Sequence, residues 1–251
     1  MAADERPFVA SDIAASLGFL SRFPVRVDGA WATERGARMV WAYPVAGGLI
    51  GLVLALLAAG FAAVLPASLA AALTLAAALM VTGALHEDGF ADCCDGFWGG
   101  WTKERRLEIM KDSHIGAYGV IGLVMSLLIR WLGLSALISA GEIWLLIGVA
   151  AASRGAMTPL MATRNARGSG VSARVGPAPR IAWGAALLLS GLALCVFGAM
   201  GAAIALAMFC ATLLTWAIAR QKIGGQTGDV LGATQQMSEM AGLCVAAALL
   251  A

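Results

Sequence analysis

The 251-residue chain has little charge: Asp, Glu, Lys and Arg together make up 13% of it, against about a quarter in a soluble domain. Two long runs, residues 39–85 and 181–219, contain none of the four. This scarcity excludes a disordered tail, a coiled coil, a nucleic-acid-binding module and most soluble enzymes. Five cysteines, at 93, 94, 195, 210 and 244, form no CxxC and no disulfide-like spacing, so they read as reduced or buried thiols. No cleavable signal is expected at the N-terminus, where Asp4, Glu5 and Arg6 precede only a short apolar stretch. What is present is apolar: 60% hydrophobic residues and 31 glycines, with a mean hydropathy of +0.83. The chain reads as an integral membrane protein.

Residues 39–85 are long enough for two helices of roughly 20 residues each, turning at Pro66. Further spans are expected at 115–141, at 143–162 and, folding back near Gly198–Gly201, twice within 181–219. The tail from Gln236 to Ala251 makes a short seventh helix. The expectation is an all-α polytopic bundle of about seven spans, in a single domain covering 1–251. Val9, Ile13, Leu17 and Leu20 share one helical face, which predicts a short helix in the arm 1–38, lying in the interface or packed as an ordinary amphipathic helix.

Net charge, +2 from 17 basic and 15 acidic residues, says little; placement says more. The arm, 86–114, 163–180 and 219–235 carry nearly all the Lys and Arg, whereas the turns near 66, 141 and 199 carry none. The positive-inside rule makes the loaded side cytoplasmic. All acidic residues but Glu142 lie on or next to that side. Both signs on one face point to an active site at the membrane surface.

The richest stretch is His86–Gly96, HEDGFADCCDG. Asp88, Asp92 and Asp95 are spaced i, i+4, i+7, one face of a helix. Three carboxylates on one face repel unless a cation neutralises them, and oxygen ligands at a membrane surface suit Mg²⁺. A solvated acidic face is the plain alternative, but Ala91, Cys93, Cys94, Phe97 and Trp98 make the surroundings apolar. His86 and His114, the only histidines, flank the stretch as candidate proton carriers or phosphate contacts.

A second polar run, Lys222–Asp229, holds Gly224, Gly225, Thr227 and Gly228. Its glycines free the backbone to turn N–H groups towards an anion, although no Walker GKT or GKS follows. Asp229 and Glu239 lie at or in a span, where acidic groups are expensive and usually functional. Arg154 falls on the order of 10 Å below the cytoplasmic end of its span and needs an aspartate or a diphosphate as partner. Arg130 is expected to snorkel to the far interface, with no further role.

These residues resemble the membrane-bound cobalamin synthases, or adenosylcobinamide-GDP ribazoletransferases. TGALHEDGFADCCDGFWGG (82–100), EIMKDSHIGAYG (108–119) and GGQTGDVLGA (224–233) look like the signatures of that family, and LSRFPV (20–25) and YPVAGGLIG (43–51) are similar to weaker blocks. The resemblance implies an Mg²⁺-dependent enzyme of the bacterial inner membrane with its site facing the cytoplasm. It would join adenosylcobinamide-GDP to α-ribazole or α-ribazole 5′-phosphate, release GMP and complete the nucleotide loop of cobalamin. Asp88, Asp92, Asp95, Asp112 and Asp229 match family positions. With Glu239, all of these but Asp112 form the expected metal set. Lys111, Asp112, His114 and Arg154 form the expected catalytic set, and His86, Lys222, Gly224, Gly225, Thr227 and Gly228 the substrate-binding set. Glu87 departs from the family, which usually has an apolar residue there; His114 stands where it often has Arg, which favours a phosphate contact over a base. Besides its two substrates the protein's partner is the bilayer; nucleic acid is not expected, and oligomerisation is left open. The rival readings are a CDP-alcohol phosphotransferase, whose Asp-Gly-x-x-Ala-Arg continuation is missing here, and a small transporter, which charges gathered on one face disfavour.

Overall fold

The computed structural model describes residues 6–251, apart from the side chain of Val171; Asp4 and Glu5 of the arm lie outside the described residues. Among the described residues every regular element is helical. In chain order these are α1 (Ser11–Leu20), α2 (Gly29–Arg35), a 3-10 turn (Gly36–Ala42), α3 (Tyr43–Ala62), α4 (Ala67–Thr82), α5 (Leu85–Gly99) and α6 (Lys103–Ile109). They continue as α7 (Ala117–Ala140), α8 (Leu145–Gly155), a 3-10 turn (Leu160–Ala162), α9 (Val171–Arg174), α10 (Arg180–Cys195), α11 (Gly198–Ile223) and α12 (Gly228–Leu250).

Among the described residues, four helical stretches are long and apolar enough to cross a membrane: Gly29–Ala62, Ala117–Ala140, Leu145–Ala162 and Gly198–Ile223. A fifth arises if α4 and α5 count together as one bent span. At 16 residues α10 is short. The first half of α12 carries Asp229, Gln235 and Gln236, with Glu239 just beyond. Exposed Leu56, Leu69, Ile121, Leu132, Leu188 and Leu206 leave the outer surfaces of α3, α4, α7, α10 and α11 apolar, as lipid contact requires.

Three local features differ from the sequence expectation. The stretch 86–114 is two helices, α5 and α6, with short turns after each. Gly83 and Ala84 both adopt left-handed backbone (φ 63° and 55°), and the chain turns through 90° between α4 and α5. Thus α5 folds back from α4 to pack against α7, where Gly122 meets Phe90 and Cys94, and against the start of α12. The second difference is α12, which begins at Gly228 rather than near Gln236, because Thr227 caps it and its polar residues find partners inside the bundle. The third is α1, whose buried face is Asp12, Ala15, Ser16 and Leu20, whereas Val9, Ile13 and Leu17 are only partly covered. An ion pair sets that face. Arg35 grips Asp12 through two bonds of 2.8 Å, and the Trp41 indole N–H donates to the same carboxylate at 2.6 Å.

Two glycine contacts bring backbones together. Gly47 and Gly51, a GxxxG pair on α3, lie against Ala150, Ile147 and Leu146 of α8, the close approach small residues allow in lipid. Gly89 of α5 sits on the backbone of Asp229, where a Cβ would come within 2.8 Å of the Asp229 Cα. Gly232 of α12 in turn sits on the backbone of His86. The central apolar core, with Leu75, Leu134, Leu145, Leu194, Ile204 and Leu243, lies beneath this junction.

Candidate active site

The site is built where α5 crosses the start of α12. Of the three aspartates sharing a face of α5, Asp88 is exposed, Asp92 partly buried and Asp95 buried. Asp229, in the first turn of α12, is held against Gly89 and so enters the same group. The proximity has an electrostatic consequence. Burial, then the charges of Asp229 and Asp88, push the Asp92 carboxyl up to about 7. Burial and neighbouring carboxylates disfavour the ionised form, Arg167 opposes them, and a bound cation would favour ionisation.

Asp95 is turned to other work. Its oxygens accept the backbone N–H groups of Gly116 at 2.7 Å and Gly119 at 2.8 Å, the first turn of α7. A Cβ at either glycine would strike that carboxylate. Thus the three-aspartate face divides into a pair facing Asp229 and a helix cap. Among the described residues no group of three or more His, Cys, Asp or Glu side chains is placed to hold a metal ion. Mg²⁺ does not require one, because it is usually bound through one or two carboxylates plus water and substrate phosphates. Asp88, Asp92 and Asp229 supply that donor chemistry from two helices.

Around the aspartates lie the Gly-rich turn and the loop after α8. The Thr227 hydroxyl accepts the Val230 N–H at 3.3 Å and so caps α12. Gly225 passes so close to the Arg164 carbonyl that no side chain fits, and backbone bonds Gln226→Arg164 (2.9 Å) and Ala166→Gln226 (2.8 Å) strap the two segments together. Gly224 ends α11 with φ 79°. The ammonium of Lys222 lies 4.3 Å from the Trp98 ring centre, and its carbonyl accepts from Arg106, which also bonds the Gly100 carbonyl. The strap brings in a residue the sequence reading passed over: Arg167 pairs with Asp229 at 3.1 Å.

Lys111, Asp112 and His114 lie together on the exposed turn between α6 and α7. The His114 ring and backbone N–H bond Asp112 at 2.7 and 3.1 Å and hold its carboxyl below the usual range.

Below the aspartates is a second set of charges, inside the bundle. Arg130, expected to snorkel outward, instead points inward: it is 4% exposed and pairs with Glu87 at 2.6 Å and Glu239 at 3.0 Å. Arg154 pairs with Glu239 at 3.5 Å and donates to the Ala150 carbonyl. Gln236 bridges Glu87, Ser126 and Gln235, and Gln235 donates to Ser153 and Glu239. Glu239 is ten residues along α12 from Asp229, about 15 Å deeper by helical rise, and both its oxygens face guanidinium groups. His86 is buried beside this set with Nε2 unpartnered. One signal could have revealed the arrangement: an arginine in a span implies an acid at matching depth, and Glu239 was available.

The family model described as cobalamin-5-phosphate synthase matches residues 12–247. A Mesorhizobium japonicum protein named adenosylcobinamide-GDP ribazoletransferase is 41% identical over 246 residues, covering 96% of this chain and 95% of its own. Proteins of the same name from Sinorhizobium medicae and Ralstonia nicotianae are 42% and 39% identical, over 92% and 90% of this chain and 93% and 90% of theirs. No solved structure matches. A match of this extent, covering both the α5 aspartates and the Gly-rich turn before α12, makes the chain a member of the cobalamin-5-phosphate synthase family.

Proposed function

We propose that this protein transfers a corrinoid phosphoryl group. The donor is adenosylcobinamide-GDP and the acceptor α-ribazole or its 5′-phosphate. The acceptor hydroxyl oxygen bonds to the corrinoid-linked phosphorus, the P–O bond to GMP breaks, and the hydroxyl proton passes to solvent or to the departing phosphate. The observation that carries the reading is the contact of Gly89 with the Asp229 backbone, which brings the start of α12 against the helix that carries Asp88 and Asp92. Bound there, Mg²⁺ would neutralise charge on the diphosphate and help GMP leave.

The chain's own groups then take positions around the substrate. Asp88, Asp92 and Asp229 hold the cation; Asp95 is left to cap α7, and Glu239 and Arg154 to the buried pairing. The Gly224–Gly228 turn offers backbone N–H groups to phosphate oxygens, with Lys222 beside it. His114, held by Asp112, and Lys111 lie on the turn between α6 and α7 and offer contacts to GMP. His86 braces α5 from below. We read the whole chain as one catalytic unit. Seven helices, α3, α4, α7, α8, α10, α11 and α12, cross the bacterial inner membrane with the site facing the cytoplasm. The shorter ones rely on neighbouring helices to cover their ends.

The test is turnover. Purified protein in detergent should convert adenosylcobinamide-GDP and α-ribazole to adenosylcobalamin and GMP in stoichiometric amounts, with no sealed membrane. It should stop when EDTA is added and resume with Mg²⁺. Release of GMP without a corrinoid product, or turnover indifferent to EDTA, would contradict this reading.

A further inference from the structure

Arg167 has features that simple pairing does not explain. It is 20% exposed, and its partner Asp229 is 19% exposed. The Asp229 oxygen it contacts also accepts the Thr227 hydroxyl at 3.2 Å. On the same edge of the guanidinium, Nε is buried and has no hydrogen-bond partner. Its backbone is anchored, since Asn165 accepts the N–H groups of Arg167 and Gly168 at 3.0 and 2.8 Å. The chain beyond is open, with left-handed Gly168 and Gly170 that have no neighbours where a side chain would be.

The other buried or half-buried arginines near the site are engaged elsewhere. Arg130 and Arg154 face Glu87 and Glu239, and Arg106 spans two backbone carbonyls. Arg167 is the guanidinium directed at the aspartates. Its position carries a conflict. Asp229 cannot lend the same oxygen fully to a guanidinium and to a divalent cation, and a divalent cation beside Arg167 repels it. A diphosphate arriving with that cation resolves the conflict, because a guanidinium binds phosphate oxygens through two parallel N–H bonds.

We infer that Arg167 is a diphosphate-binding residue that changes partners. It holds Asp229 until the substrate's diphosphate arrives, then releases Asp229 to the cation and takes the phosphate oxygens. The inference rests on the metal-diphosphate reading of the site. It makes metal and diphosphate binding mutually reinforcing, since each removes the other's competitor. Guarding the aspartates in this way also disfavours a cation bound without substrate.

The test uses the full chain in detergent, with Mn²⁺ as metal probe and GDP as diphosphate probe. Arg167→Ala should bind Mn²⁺ alone about five- to tenfold tighter than the unaltered protein, as loss of a competing partner predicts. At the same time its KM for adenosylcobinamide-GDP should rise about tenfold or more. Opposite shifts in the two measurements are the signature, because a merely loosened loop weakens both. Asp229→Asn provides the second arm. It frees Arg167, so GDP should bind more tightly without metal, and this gain should vanish when Arg167→Lys is added. An Mn²⁺ affinity unchanged or lowered in Arg167→Ala overturns the exchange; so does an unchanged metal-free GDP affinity in Asp229→Asn, the arm that decides if Arg167→Ala does not fold. The parent reading is judged separately by Asp92→Asn. If that variant binds Mn²⁺ as the unaltered protein does, the metal assignment itself is wrong.

Discussion

Two charged layers lie one above the other on the same pair of helices, and they are balanced in opposite ways. In the buried layer Glu87 and Glu239 face Arg130 and Arg154, with Gln235 and Gln236 filling the remaining hydrogen bonds. In the upper layer Asp229 pairs with Arg167, while Asp88 and Asp92 lie close enough for their charges to oppose one another. Glu87 and Asp88 are neighbours in the chain yet belong to different layers, because successive residues of a helix point about 100° apart. A balanced buried set is already satisfied and can hold helices in register. An unbalanced set at an edge is a place for a cation and its ligand. The difference teaches that acidic residues near one another are not equivalent: what separates a site from a brace is whether the protein itself neutralises them.

The largest effect should come from unbalancing the lower layer. Arg130→Ala leaves Glu87 and Glu239 buried without their shared cation, a change that typically costs about 3–5 kcal/mol. Thermal unfolding in detergent should show a large drop in Tm. A Tm near that of the unaltered protein would mean water reaches this layer and the contrast is false.

Next is the reverse experiment on the upper layer. Asp92→Asn should reduce turnover at least ~100-fold, near the loss seen when one transition-state electrostatic contact is removed. Its Tm should stay level or rise. The sign follows from the raised carboxyl: a group held up at about 7 in the folded protein is penalised when ionised, so a neutral amide relieves the fold. A lowered Tm would show that Asp92 is already compensated.

Gly89→Ala tests the junction between the layers. Its Cβ would meet backbone at 2.8 Å, so α5 and α12 must separate by several tenths of an ångström. Turnover should fall about tenfold, since small misplacements of catalytic groups are costly, while the buried pairs keep the chain folded. Full activity would show that the spacing of Asp88 and Asp229 is not critical. The smallest effect is expected from Thr227→Ala, which removes the α12 cap and should cost about 1 kcal/mol, with KM for the corrinoid substrate rising only slightly.

How far the sequence could be read depended on the range of each interaction. Helical class, the turns at Pro66 and Gly141 and the helical face bearing Asp88 and Asp92 follow from local pattern, because backbone periodicity and desolvation act within a few residues. The same pattern predicted Asp95 as a third ligand. The structure turns it to the α7 cap, since the facing N–H groups of Gly116 and Gly119 come from the next helix. On α1, Leu20 of the expected face is buried but Asp12 joins it, because a buried aspartate needs Arg35 and hydrophobic periodicity does not register an ion pair.

The sequence by itself determined that this chain is a helical membrane protein and that its charges gather in a few connecting segments. Both come from composition and short spacing, where each residue's transfer free energy adds to its neighbours' regardless of the final fold. Tertiary structure decided which charges meet. Arg130 and Glu239 are separated by 109 positions and Arg167 and Asp229 by 62, and nothing in either local segment distinguishes a pair from two solitary ions. Only the crossing of α5 over α12, with Gly89 allowing the backbones to touch, places one set in the interior where it must neutralise itself and the other at the edge where it does not.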